Sequence, residues 1–344
     1  MPTLGILAGA GIVLIAGVLQ GVFAVPMKFA RGWKYENIWL IFAASGLVAF
    51  PWLLTLTTVP NVADVYRVTS LRSLSAIGGF GVCWGVGAAL TGLGLTMLGI
   101  GLGFAIILGL SASVGSLVPL LVLTPEKIGT SQGHEYLLGT GLMLIGIGIA
   151  ARAGALREAA ARAGQNAPSG QRTPFATGLL VAIAAGVLSS TLNFSYAFGN
   201  EALVHARALN VSPLWIANVI TAPATTGGFF ANLFYCVYLL RRNATSRKFL
   251  QPGAGINWLF GVIMGGLWFG GQALYGLGVS RMGQFGTVVG WPSLMGMIIV
   301  TSNVAGILTG EWKGAGKTAD AYLAAGMLVI LAALGVLALG QSGS

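Results

Sequence analysis

The chain has 344 residues, 56% hydrophobic and only 8% charged, with a mean hydropathy of +0.84. A soluble domain carries roughly 25% charged residues, so this chain has too little polar surface to cover a globule in water, and its solvent is mostly lipid. The net charge of +10 lies in short loops between apolar stretches, where positive charge fixes topology, and this excludes a nucleic-acid-binding domain.

A spanning helix needs about 20 mostly apolar residues. Ten such segments are predicted, at 4–26, 37–59, 72–97, 99–123, 136–152, 175–198, 213–240, 257–279, 285–309 and 322–340. The first is read as a retained span rather than a cleaved signal. Met1 to Thr3 carries no Lys or Arg, and the apolar run to Pro26 exceeds a normal signal core. Spans three and four meet around Leu98-Gly99, and spans eight and nine around Arg281-Met282-Gly283, so both junctions are expected to be tight turns. After the fifth span, Arg152 to Arg162 is Ala-rich and predicted helical, and Gly164 to Gly170 has linker chemistry.

Two stretches recur. Residues 84–94 (Trp84-Gly-Val-Gly-Ala-Ala-Leu-Thr-Gly-Leu-Gly94) return at 268–278 (Trp268-Phe-Gly-Gly-Gln-Ala-Leu-Tyr-Gly-Leu-Gly278), an offset of 184. Ala16-Gly17-Val18-Leu19 returns as Ala185-Gly186-Val187-Leu188, an offset of 169. Two echoes in the same order indicate an internal duplication. The expected organisation is a first five-helix repeat at 1–153, a cytoplasmic linker at 154–174 and a second five-helix repeat at 175–344. Five is odd, so similar halves must enter the membrane in opposite directions. The fold class is therefore an all-α integral membrane protein of ten transmembrane helices in two inverted-topology repeats, an arrangement typical of secondary transporters. The 54 glycines, in spacings such as Gly17/Gly21, Gly81/Gly85 and Gly266/Gly270, suit close helix packing in lipid.

Orientation follows from Lys and Arg. Lys28, Arg31, Lys34, Arg152, Arg157, Arg162, Arg172, Arg241, Arg242, Arg247, Lys248, Lys313 and Lys317 share one side, and Arg67, Arg72, Lys127, Arg207 and Arg281 the other. The positive-inside rule puts the thirteen in the cytoplasm and both termini on the periplasmic side of a bacterial-type inner membrane.

No enzyme chemistry is evident. The eight acidic residues fall in loops or at helix ends, and no paired carboxylates or nucleophile motif lie within a span. The two cysteines, Cys83 and Cys236, give neither a disulfide framework nor metal-ligand spacing, so no cofactor or metal is expected. Polar residues at membrane depth are costly unless they face a cavity or one another. The candidate substrate-binding set is Gln20, Phe23, Trp84, Asn193, Tyr196, Asn200, Trp268, Gln272, Tyr275 and Trp291, with Asn218, Asn232 and Gln284 nearby in sequence. Spacing puts Gln272 with Tyr275, and Asn193 with Tyr196 and Asn200, on shared helix faces. Amides and phenols bond hydroxyls without a buried charge, and rings cover apolar faces, so the set suits a neutral polyol. Taken singly, any of these amides reads equally well as an interhelical bond of about 0.6–2 kcal/mol. For proton coupling the best-placed carboxylates are Glu36 and Glu201, although Glu36 could instead pair with Lys28, Arg31 or Lys34. Trp33, Tyr35, Trp39, Trp52, Tyr66, Tyr136, Trp215, Trp312 and Tyr322 lie near span ends and read as interfacial anchors.

The stretch Phe23-Ala-Val-Pro26-Met27-Lys28-Phe-Ala-Arg31-Gly-Trp33-Lys-Tyr-Glu36-Asn37-Ile-Trp39 resembles the L-rhamnose–proton symporters of the drug/metabolite transporter superfamily. So do Pro51-Trp52, Trp84-Gly-Val-Gly, Gly92 to Gly103, Arg152-Ala-Gly154, Ala208 to Trp215 and Glu311-Trp312-Lys313-Gly-Ala-Gly316. The likeness runs from about residue 5 to the C-terminus. It implies ten helices in inverted repeats and alternating-access import of a sugar, L-rhamnose or a similar 6-deoxyhexose, with a coupled cation, a proton or possibly sodium. The span-nine opening, Phe285-Gly-Thr-Val-Val-Gly-Trp291-Pro292, is less polar than that resemblance leads one to expect. The alternatives left by the residues alone are an exporter or exchanger of another small solute, such as an amino acid or nucleotide-sugar, and a non-transporting sensor or scaffold.

Overall fold

Each predicted span is a long helix in the computed structural model, which describes residues 2–98, 100–163, 175–283 and 286–342. In chain order these are α1 (Pro2–Val22), α2 (Tyr35–Ala44) continued by α3 (Phe50–Thr58), α5 (Leu71–Leu98), α6 (Ile100–Leu123), α7 (Ser131–Ala163), α8 (Phe175–Phe198), α10 (Asn218–Arg242), α11 (Ala254–Arg281), α12 (Gly286–Leu308) and α13 (Lys317–Ser342). Two short helices were not anticipated, α4 (Val62–Val68) and α9 (Asn200–Ala208). Among the described residues, nine helical segments are long and apolar enough to cross a membrane. The tenth long helix, α10, has 25 residues but carries Asn218, Thr221, Thr225, Thr226 and Asn232. Helix α7 runs on through the first part of the expected linker to Ala163; the remainder of the linker, Gly99 and Gln284 lie outside the described residues.

Helices α2 and α3 form one continuous element. A π-helical turn, Ser45–Ala49, joins them, with Phe50 N–H bonding back to Ser45 O. Pro51 is the cause: it has no N–H to give, its ring crowds the preceding turn, and a wider turn relieves both. The Ser45 hydroxyl donates to the Ile41 carbonyl at 2.8 Å.

Packing pairs helices from the two halves: α1 with α11 and α12, α5 with α8 and α10, α6 with α8 and α12, α2 with α10 and α11, and α7 with α13. Glycines make these approaches possible, and the approaches recur between equivalent helices, with one partner displaced by 169 residues and the other by 184 or 187. A β-carbon built on Gly9 would press on Arg281 and Met282, and one on Gly178 on Met97 and Leu98. One on Gly17 would meet the Leu294 carbonyl at 3.2 Å beside Met297, and one on Gly186 the Ile107 carbonyl at 2.9 Å beside Leu110. One on Gly271 would lie 2.8 Å from Ala16 O and 3.4 Å from Gln20 N, and one on Gly87 2.7 Å from Ser189 N.

These contacts are sensitive to a single methyl. At Gly265 a β-carbon would fall 2.7 Å from Gly46 N and 3.0 Å from Ser45 Cβ, with no backbone freedom to yield. Gly265→Ala is expected to destabilise the protein by about 1–3 kcal/mol, read as a lower melting temperature in detergent. The neighbouring Gly266→Ala, whose nearest atom would be Phe50 Cε2 at 3.7 Å, is expected to melt like the wild type.

Candidate functional site

Most of the candidate set converges in one buried layer where α1, α8, α10, α11 and α12 meet. The Gln20 amide on α1 donates to Gln272 Oε1 on α11 at 2.9 Å. Gln272 donates in turn to the Tyr196 hydroxyl on α8 at 3.1 Å. That hydroxyl is 2.8 Å from Thr221 Oγ1 on α10. One turn along α11, the Tyr275 hydroxyl donates to Asn193 Oδ1 on α8. Asn193 gives its amide hydrogens to Gly115 O at 2.8 Å and Thr287 O at 3.0 Å. The Trp291 indole on α12 donates to Ser111 O at 2.9 Å. Asn193, Gln272 and Tyr275 are almost wholly buried. Unsupported amides at this depth would each cost several kcal/mol; here Gln20, Asn193 and Gln272 are satisfied by partners on α1, α6, α8, α11 and α12.

Rings complete the layer. Tyr196 and Tyr275 meet edge to face at 5.4 Å, and Tyr275 and Trp291 at 5.8 Å. Trp84 and Trp268, equivalent residues of the duplicated stretch, stack on each other at 5.2 Å and 26°. Trp268 meets Phe42 at 6.2 Å, and Phe23 meets Phe42 at 5.2 Å. The aromatic wall therefore continues from the tryptophan pair to α1 and α2.

Five readings need correction. Tyr136 and Trp312, read as interfacial anchors, are buried, at 2% and 8% exposure. Asn200 does not share the face of Asn193 and Tyr196: α8 ends at Phe198, and Asn200 begins α9 as an exposed residue. Trp39 is no interfacial anchor: its indole donates to Asn232 Oδ1 on α10 at 2.9 Å and its ring packs on Phe42 at 4.7 Å. Trp52 likewise turns inward, to Thr226 Oγ1 at 2.8 Å. Sequence reasoning missed Phe42 and Thr221. Phe42 is one aromatic in an apolar run and carried no signal. Trp39 lies three residues from both Glu36 and Phe42, a spacing that could have placed it on their face.

The carboxylates differ. Glu36 is 2% exposed, and its Oε1 accepts from Thr245 Oγ1 at 2.7 Å and Asn243 Nδ2 at 3.0 Å, both just past the end of α10. Among the described residues it makes no ion pair; Lys28 is bonded instead to Glu311. Glu201 is partly exposed and accepts from the Ser70 backbone N–H at 2.7 Å and hydroxyl at 2.6 Å, at the start of α5. Glu36 and Glu201 thus stand at opposite ends of the bundle, each tying one half of the chain to the other.

At the basic end lies a cavity of about 300 Å³ between α1, α7 and α12. Gly21, Lys28, Arg157, Asn303, Glu311 and Trp312 are among its walls.

A family model described as L-rhamnose-proton symport protein matches residues 3–343. The L-rhamnose-proton symporter of Cronobacter sakazakii is 28% identical over 340 residues, covering 96% of each chain. Those of Salmonella typhi and Escherichia coli O1:K1 are 28% and 27% identical over 336 residues, again covering 96% of each chain.

Proposed function

The chain belongs to the L-rhamnose-proton symport family, and on that premise we propose that it imports L-rhamnose, or a 6-deoxyhexose of the same shape, together with a proton by alternating access. It is a transporter rather than an enzyme. The observation that carries the sugar reading is the buried layer of uncharged amides, phenols and indoles, Gln20, Asn193, Tyr196, Gln272, Tyr275 and Trp291, flanked by Trp84, Trp268 and Phe23. Each amide and hydroxyl there already has a protein partner. Exchanging such a bond for one to a sugar hydroxyl changes the energy by only about 0.5–1.5 kcal/mol, so the layer can open around a sugar and close again. The indole faces suit the apolar side of the ring and the 6-methyl group. No Lys or Arg stands in the layer, which disfavours nucleotide-sugar exchange.

We read the fold as ten spans in two inverted five-helix repeats, 1–153 and 175–344, joined by a cytoplasmic linker at 154–174. What supports this is the matched packing. Taking α1 with α8, the α2/α3 element with α10, α5 with α11, α6 with α12 and α7 with α13 as equivalents, the contact of α1 with α11 corresponds to that of α8 with α5, and α1 with α12 to α8 with α6. The glycine approaches recur at the same offsets. The excess of Lys and Arg on one side favours an inner-membrane location with both termini outside. Of the two carboxylates we favour Glu36 as the proton carrier: it is buried where Glu201 is partly exposed, and its bonds to Thr245 and Asn243 tie α2 to the end of α10, so that a change in its charge would alter that tie; on this orientation it stands at the cytoplasmic end, where a proton is released.

The test is uptake of radiolabelled L-rhamnose into proteoliposomes with and without an inward proton gradient. Gradient-dependent accumulation above the outside concentration is the expected result. Equilibration alone would make the chain a uniporter, and no uptake of rhamnose or any related sugar would overturn the reading.

A further inference from the structure

Two loops interlock at the basic end of the bundle, the one between α1 and α2 and the one between α10 and α11. A single side chain holds the Arg31 backbone from both sides. The Arg31 N–H donates to Asn257 Oδ1 at 3.2 Å, and the Arg31 carbonyl accepts from Asn257 Nδ2 at 2.8 Å. Asn257 lies near the start of α11 and is 3% exposed. Gly32 follows at φ +72°, and its carbonyl accepts from the Lys248 ammonium. The Trp33 indole donates to Lys248 O at 3.1 Å, and its ring meets Phe249 at 5.2 Å and Trp258 at 6.0 Å, edge to face. A buried amide with both polar ends on one backbone position fixes that position, so Arg31 has a set place on α11 although it is an exposed residue.

Between the loops lies a groove of about 600 Å³, with Lys28, Phe29, Arg31, Trp33, Ile256 and Phe260 among its walls. That is within the roughly 300–1,000 Å³ range of ligand pockets. Among the described residues no Asp or Glu lines it, and the first turn of α11 holds no acidic residue. Lys28 is already bonded to Glu311. Among the described residues neither Arg31 nor Lys248 makes an ion pair, so two uncompensated positive charges stand at the groove. Trp33 and Trp258 mark headgroup depth. From there the uncovered side of α11 continues apolar: Ile256, Leu259 and Ile263 share one stripe and are 51%, 50% and 40% exposed. Phe29 and Phe260 meet at 6.4 Å at the boundary. Positive charge at headgroup depth beside an apolar stripe is complementary to an amphiphile with an anionic head. A soluble anion would leave the stripe unused, and a neutral sugar the charges.

We propose that this groove binds one anionic phospholipid, its phosphate headgroup on Arg31 and Lys248 and an acyl chain along Ile256, Leu259 and Ile263. The site is separate from the Gln20–Gln272 layer and does not depend on which solute the chain carries.

The test titrates the purified full chain in mild detergent with phosphatidylglycerol, phosphatidylcholine or glycerol phosphate, followed by native mass spectrometry. One phosphatidylglycerol should bind at least about fivefold more tightly than phosphatidylcholine. Arg31→Gln should weaken phosphatidylglycerol about fivefold. Lys317→Gln, an equal loss of charge at the start of α13 and outside the groove, should bind it like the wild type. Equal binding of the two lipids by the wild type, no loss in Arg31→Gln, or an equal loss in both variants would overturn the site. Glycerol phosphate bound as tightly as phosphatidylglycerol would overturn it in favour of a free anion. Should Arg31→Gln fail to fold, Lys248→Gln carries the same comparison.

Discussion

Replacing Glu36 by Gln is expected to abolish accumulation and leave exchange intact. One coupled charge at 100 mV supplies about 2.3 kcal/mol, enough for roughly fifty-fold accumulation. The Gln carbonyl can still accept from Thr245 and Asn243, so the tie between α2 and the end of α10 survives, while the group that titrates is gone. Internal sugar should then stop at the external concentration, yet preloaded vesicles should still exchange labelled for unlabelled sugar. Accumulation that persists in Glu36→Gln would pass the role to Glu201, and persistence in Glu201→Gln as well would remove both from the coupling step.

The second large effect is expected at Gln272, the link between Gln20 and Tyr196. Gln272→Leu keeps the volume but leaves the buried Gln20 amide without its acceptor and Tyr196 without a donor, each costing about 1–3 kcal/mol. On the proposal that Gln272 also bonds the sugar directly, kcat/KM for uptake should fall about a hundredfold or more. Asn200→Ala, at an exposed position on α9, should transport normally. A Gln272→Leu protein within about threefold of the wild type would remove the layer from the substrate path.

Much of this was legible before any coordinates. Length and apolarity place a spanning helix within a few residues, and the structure departs mainly where polar chemistry interrupts the pattern. Helix α9 carries Glu201, His205 and Arg207 and has no apolar periodicity to announce it. The π turn before Pro51 changes the register of Trp52 relative to Trp39, which hydropathy does not record. The amides and tyrosines of the layer stood out because lipid makes such residues expensive. Their partners did not: Gly115, Ser111 and Thr287 contribute backbone carbonyls, which every residue possesses. Trp39, Trp52 and Trp312 were misplaced as anchors for a related reason. An indole near a span end has two favourable fates, facing headgroups or turning inward to a partner, and only the opposing helix decides between them.

The two halves are alike in their glycine crossings but not in what fills them. Where α1 crosses α11 the residues are Gln20 and Gln272, bridged at 2.9 Å; at the corresponding crossing of α8 and α5 the offsets bring up Ser189 and Ala88. On the inverted-repeat reading, the inward-facing and outward-facing states are related by a pseudo-two-fold rotation that exchanges the roles of these crossings. A molecule with identical halves would occupy the two states equally. A bridge present at only one crossing lifts that degeneracy: about 1.4 kcal/mol would weight the empty carrier ten to one toward the state that keeps it. The resting orientation of the carrier is then written in one pair of glutamines, and the loaded carrier turns over by giving that preference up to the sugar.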